Sequence, residues 1–281
     1  MGGLATMTER LSFDAHPPRV IAALHLPPHP ASHHPMAQSV TQMVDFALRN
    51  AERAVEAGIP ALYIQDVADT PVAPQVQPHT VATLAVVGTA IRRTFPDLIL
   101  GVCLMSHGAR EPLAIAQAIG AQFVRLKVYV GAMVKAEGIL QGCAYEAIQY
   151  RAQLEAEEIA ILADVYDRTG EPLGRLPLVE EARQAAVFGR ADGLVLTGLS
   201  FNESLEMLGQ VRAANLGVPL YLGGGANATN VGQALQVADG IIVSSAFKSR
   251  QGWTREALLD EWEPERIRAF MEAVRNTGLR N

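Results

Sequence analysis

The chain has 281 residues, of which 49% are hydrophobic and 6% aromatic, and its formal net charge at pH 7 is −6. That is enough apolar material for one large core, while the acidic balance and scarce aromatics argue against nucleic acid as a partner. No apolar run approaches the roughly 18 to 20 residues that span a bilayer. The start lacks the basic and apolar regions of a signal peptide, and Cys103 and Cys143 show no metal-type spacing, so a reducing, cytoplasmic setting is expected.

Residues 1–18 are polar and mixed and read as an N-terminal tail; residues 19–281 read as one domain. Val20 to Leu24 is a continuous apolar run, as a strand buried on both faces requires. It ends at His25, and four prolines between positions 27 and 35 keep the next stretch irregular. Helical spacing follows from Ser39 to Ala57 and stops at Gly58. The same unit recurs: strands at Ala61–Ile64, Leu98–Leu104, Gln122–Val128, Ile159–Ala163, Gly193–Leu196, Val218–Leu222 and Gly240–Val243 alternate with helical patterns. Gly131 to Gly142 reads as a glycine-rich loop, and Asn227 to Val237 and Pro264 to Val274 as helices. Eight such units predict a single (β/α)8 TIM barrel, with a doubly wound open sheet as the alternative topology.

In a barrel the site lies at the C-terminal ends of the strands, and phosphate cups form after strands seven and eight. Gly223-Gly224-Gly225 lets the backbone approach a ligand without a Cβ in the way. A helix opening at Asn227 would aim unpaired N–H groups at the same gap. The next turn adds Ser244, Ser245 and Lys248, and Thr197 with Gly198 ends the sixth strand beside them. Together these residues predict a binding site for a small phosphorylated ligand.

On the fourth strand, period-two alternation sets Arg125 and Lys127 on one face, opposite Val124, Leu126 and Val128. Because the helix layer outside a barrel is apolar, that face points inward, and each cation needs a carboxylate or a ligand anion. Lys127, Asp164 and His25 are the candidates for acid–base or electrostatic roles. A buried pair of Asp164 with Lys127 or Arg125 is the purely structural alternative. Gln65, Asp66, Cys103, Tyr166 and Asp167 also fall at strand ends and complete the expected pocket. Five of the seven histidines crowd the first 34 residues, but prolines separate them, so no metal or other cofactor is expected. The sequence leaves open whether the barrel forms a homo-oligomer.

These segments, from Leu24-His25-Leu26-Pro27-Pro28 through Gly138-Ile139-Leu140-Gln141-Gly142 and Ile161-Leu162-Ala163-Asp164-Val165 to Ala238-Asp239-Gly240, resemble the BtpA/SgcQ family over roughly residues 20 to 275. The resemblance implies a phosphate-binding TIM barrel. One namesake is associated with stabilising photosystem I, and another with sugar uptake and a nucleosidase label. The family pattern has Glu-Asn where Gln65-Asp66 stand, and polar residues where Cys103, Ser106 and His107 occur. It has Asn in place of Lys127, Asp near Ala136, and a His-rich stretch where Tyr166-Asp167-Arg168 lie. The expectation is therefore an enzyme of isomerase, lyase or N-glycosidase type acting on a sugar phosphate or nucleotide-like compound. The alternative is a non-catalytic assembly factor that binds a phosphorylated ligand or a protein.

Overall fold

A computed structural model describes residues 17–250, 252 and 254–278. Of the expected tail, residues 1–16 lie outside the described residues, as does Trp253. Eight parallel strands close into a barrel: β1 (Val20–His25), β2 (Ala61–Gln65), β3 (Ile99–Cys103), β4 (Phe123–Leu126), β7 (Ala160–Val165), β9 (Gly193–Leu196), β10 (Leu220–Leu222) and β11 (Gly240–Val243). Closure runs through β1 against β11, with Val20 opposite Ile241, which excludes the open sheet.

The strands alternate between two buried environments because both their faces are covered. Outward residues such as Val20, Leu62 and Val124 pack under the helices. Inward residues, among them Ile21, Tyr63, Phe123, Leu162 and Tyr221, fill the barrel. The large rings fit because a glycine stands opposite: a Cβ on Gly101 would sit 2.3 Å from the Phe123 ring, and one on Gly240 2.5 Å from that of Tyr221.

Helices α1 (Val40–Glu56), α2 (Pro78–Thr94), α3 (Arg110–Ile119), α4 (Ala144–Gln153), α5 (Leu178–Arg183), α6 (Phe201–Ala213), α7 (Val231–Ala234), α8 (Arg255–Leu259) and α9 (Pro264–Arg275) follow the strands. Ser39 opens α1 with a capping box to Gln42, which satisfies two otherwise unpaired N–H groups. Pro264 opens α9 at the position where its missing N–H costs nothing.

Two expectations are corrected. The stretch from Gly131 to Gly142 is not a loop but a hairpin of β5 (Ala132–Lys135) and β6 (Gly138–Gln141), extended by β8 (Glu171–Pro172) into a small antiparallel sheet. The helix expected from Asn227 shrinks to the four residues of α7. Asn227 instead closes a local turn, its side chain accepting from the N–H and hydroxyl of Thr229. Among the described residues, no helix is long and apolar enough to cross a membrane.

Candidate functional site

At the C-terminal mouth of the barrel a cleft of about 230 Å³ opens between two chemically different walls. One wall is the pair of turns after β10 and β11, contributing Gly223, Gly224, Gly225, Ser244 and Ser245, with Thr197 from the end of β9. Gly223 is required there, because a Cβ would stand 1.9 Å from the Thr197 hydroxyl oxygen. The hydroxyls of Thr197 and Ser244 are buried and have no hydrogen-bond partner among the described residues. Leaving such groups unsatisfied costs free energy. Arg168, from the loop after β7, brings its guanidinium to 4.0 Å from where a Gly224 side chain would begin.

The other wall carries His25, Gln65, Met105, Arg125, Lys127, Asp164 and Asp167. The strand register places them there: His25, Gln65 and Arg125 occupy inward positions at the tops of β1, β2 and β4, and Asp164 does so on β7. Arg125 clamps Asp164 side-on, Nε to Oδ1 at 2.8 Å and Nη2 to Oδ2 at 3.0 Å, and donates through Nη1 to the Tyr63 hydroxyl at 2.8 Å. Burial raises the Asp164 pKa and Arg125 opposes it; burial likewise disfavours the guanidinium charge, but Asp164 outweighs that and holds Arg125 protonated. Both carboxylate oxygens of Asp164 accept from the guanidinium, so neither is left without a cation.

Asp167 is similarly engaged, accepting from Lys135 Nζ at 2.6 Å and from the Thr169 hydroxyl at 2.8 Å. Burial works against its charge, yet Lys127 and Lys135 together hold its pKa below the usual carboxylate range. Lys135 contacts the carboxylate directly, while Lys127 acts on it through its field alone. His25 feels the same field: burial first, then Lys248, Lys127 and Arg125, lower its pKa to about 3, so the imidazole is neutral. Lys248 lines the cleft near Ser245 and donates to the Ala257 carbonyl at 3.0 Å, and burial lowers its pKa to about 8.

Several expected pocket residues stand elsewhere. Asn227 faces solvent and spends its side chain on its own turn, and Gly198 donates its N–H to Ser204 Oγ at 2.9 Å behind the cup. Cys103 lies beneath the site in the barrel interior, where burial pushes the thiol up to about 11. Asp66 accepts the Met105 N–H at 2.7 Å and is buried away from the cleft, with its pKa raised by that burial to about 6. Tyr166 has a left-handed backbone (φ 59°) that turns its ring outward, where its hydroxyl donates to the Leu176 carbonyl and Arg175 stacks on its face.

The sequence reading missed Met105, Arg168 and Arg250 as lining groups. The signal available was position alone: Met105 follows β3 by two residues, and Arg168 follows Asp164 by four. His29 is spent on local structure, its ring bridging the Ala31 N–H and the Thr83 hydroxyl and stacking on His79. Among the described residues, no group of three or more His, Cys, Asp or Glu is placed to hold a metal ion.

A family model described as the BtpA family matches residues 17–276. The chain is 32% identical over 266 residues to the photosystem I biogenesis protein BtpA of Synechocystis sp., covering 94% of this chain and 90% of that protein. Among solved structures it shares its fold with a 3-keto-L-gulonate-6-phosphate decarboxylase from Vibrio cholerae, at TM-score 0.56 and 13% identity over 92% of this chain and 98% of that one. It shares it also with a phosphoribosyl anthranilate isomerase from Thermus thermophilus, at TM-score 0.53 and 14% identity over 92% and 98%.

Proposed function

The chain belongs to the BtpA family, and on that footing we propose that it is an enzyme acting on a small phosphorylated metabolite held in the barrel mouth. The phosphate sits on the Gly223–Gly225 and Ser244–Ser245 turns, and the rest of the molecule reaches toward Arg125 and Lys127. The carrying observation is the pair of buried, unsatisfied hydroxyls of Thr197 and Ser244 at a backbone cup flanked by Arg168 and Lys248. The phosphosugar enzymes that share the fold lend support by analogy only.

The chemistry this arrangement favours is stabilisation of negative charge that develops on the substrate. Asp164 is committed to Arg125 and acts as its positioning residue rather than as a base. His25, neutral, is suited to hydrogen-bond a developing oxyanion, and Arg125 and Lys127 to offset its charge. Isomerisation and decarboxylation, which both pass through enolate-like states, suit such a wall.

A second reading, a non-catalytic assembly factor, draws on the name of the Synechocystis relative and on the engagement of both cleft carboxylates by cations. A thermal-shift screen with phosphorylated sugars and nucleotides separates the two. A ligand at about 100 times its dissociation constant adds about 2.7 kcal/mol. Turnover of a hit by the parent and its loss in Lys127→Ala supports the enzyme, while binding without turnover supports the factor. No shift with any phosphorylated compound defeats both phosphate-based readings.

A further inference from the structure

On the wall facing the cup, two strong donors converge on one poor acceptor. Lys127 Nζ lies 3.0 Å from the Met105 sulfur, and Gln65 Nε2 lies 3.4 Å from the same atom. A thioether accepts hydrogen bonds only weakly, so an ammonium and an amide at the edge of a cleft are left close to unsatisfied. Lys127 forms no ion pair among the described residues: Arg125 takes both oxygens of Asp164, and Lys135 takes Asp167. Lys127 is therefore left without a direct carboxylate contact among the described residues, and it stands apart from Arg168 and Lys248 at the cup.

We propose that Lys127 and Gln65 form a subsite for a carboxylate, so that the ligand is a phosphorylated sugar acid or keto acid, anionic at both ends. This rests on the phosphate reading above and adds to it the identity of the second group. A carboxylate fits better than a second phosphate, because one ammonium and one amide donor match a single negative charge with two acceptor oxygens. The cup at the far wall then takes the doubly charged phosphate. Met105, packed between the donors, supplies the apolar floor that keeps water from competing for them.

The test compares matched pairs by calorimetry at pH 7.5: 3-phosphoglycerate with glyceraldehyde 3-phosphate, 5-phosphoribonate with ribose 5-phosphate, and 6-phosphogluconate with glucose 6-phosphate. Gluconate and fructose 1,6-bisphosphate serve as controls. In the parent protein at least one phosphorylated acid binds tenfold or more tighter than its aldose partner, and also tighter than the bisphosphate. Lys127→Met brings that ratio to within about twofold, and Gln65→Leu narrows it by a smaller factor. Ser244→Ala weakens both members of each pair alike. Equal affinities within every pair in the parent, a preference that survives Lys127→Met, or tighter binding of the bisphosphate would each overturn the carboxylate assignment while leaving the phosphate cup standing. If no phosphorylated compound binds, the phosphate reading fails and this inference fails with it. Because the parent ratio needs no variant, a folding defect in Lys127→Met does not blunt the test.

Discussion

Arg125 and Asp164 meet as two parallel hydrogen bonds, 2.8 and 3.0 Å long, at the inner edge of neighbouring strands β4 and β7. Both side chains are nearly closed to solvent, and the third arm of Arg125 is tied to Tyr63. The pair fixes the floor of the cleft and uses up the carboxylate that the strand end seemed to offer for proton transfer.

Breaking this pair leaves a buried charge without a partner, which typically costs about 3–5 kcal/mol. Asp164→Ala should therefore destabilise the fold by about that amount in urea denaturation. Replacing both partners with apolar residues, as in Arg125→Met with Asp164→Leu, should recover most of the loss. If the double variant is no more stable than the single ones, the pair is not what holds the floor.

Asp66 is expected to behave in the opposite sense. Burial raises its pKa from 3.8 to about 6, so between those values the folded state binds more protons than the unfolded state, and stability falls as pH rises. Above pH 6 the ionised carboxylate is a net cost. Asp66→Asn, which keeps an acceptor for the Met105 N–H, should gain about 1–3 kcal/mol at pH 7.5, and the gain should vanish below pH 4. Chemical denaturation of both proteins at the two pH values reads this directly.

Gly223 cannot accept a side chain without moving Thr197. Gly223→Ala places a methyl group 1.9 Å from the Thr197 oxygen and 2.8 Å from a Val195 methyl carbon. Overpacking of this kind costs about 1–3 kcal/mol, and inorganic phosphate affinity should fall with it. Adding Thr197→Ala should restore part of the stability but not the affinity, since it removes one of the cup's hydroxyls. Affinity that survives both substitutions would place the phosphate elsewhere.

Lys248 gives the cup a pH dependence. With its pKa lowered by burial to about 8, it is largely protonated at pH 7 and loses its charge through pH 9. Binding of inorganic phosphate should weaken several-fold between pH 7.5 and 9.5, and Lys248→Met should flatten the decline at a lower affinity. Stability moves the other way: between pH 8 and 10.5 the unfolded state binds more protons at this residue, so the fold gains stability as pH rises. An unchanged phosphate affinity up to pH 9.5 would remove Lys248 from the cup.

The strand-by-strand pattern made the barrel legible, because a strand covered on both faces must be apolar throughout, as Val20–Leu24 and Ile159–Ala163 are. The inward direction of Arg125 and Lys127 was legible for the same reason, since alternation leaves them no other side. The hairpin of β5 and β6 was not. Gly131, Gly138 and Gly142 read as loop residues, whereas Gly142 is needed because a Cβ would meet the Tyr129 and Val130 backbone at 2.7–2.8 Å. Asn227 was misread because the same residue type caps helices and closes turns, and only the chain beyond it decides which.

The sequence by itself determined the eight-unit architecture and the end of the barrel where polar residues collect, since local periodicity and buried apolar runs encode these directly; the family was legible only through motifs shared with its members. Only the tertiary structure decided which charges neutralise one another. Partner choice depends on distances between strands far apart in the chain, and so Asp164 went to Arg125, Asp167 to Lys135, and Lys127 was left facing a methionine sulfur across from the cup.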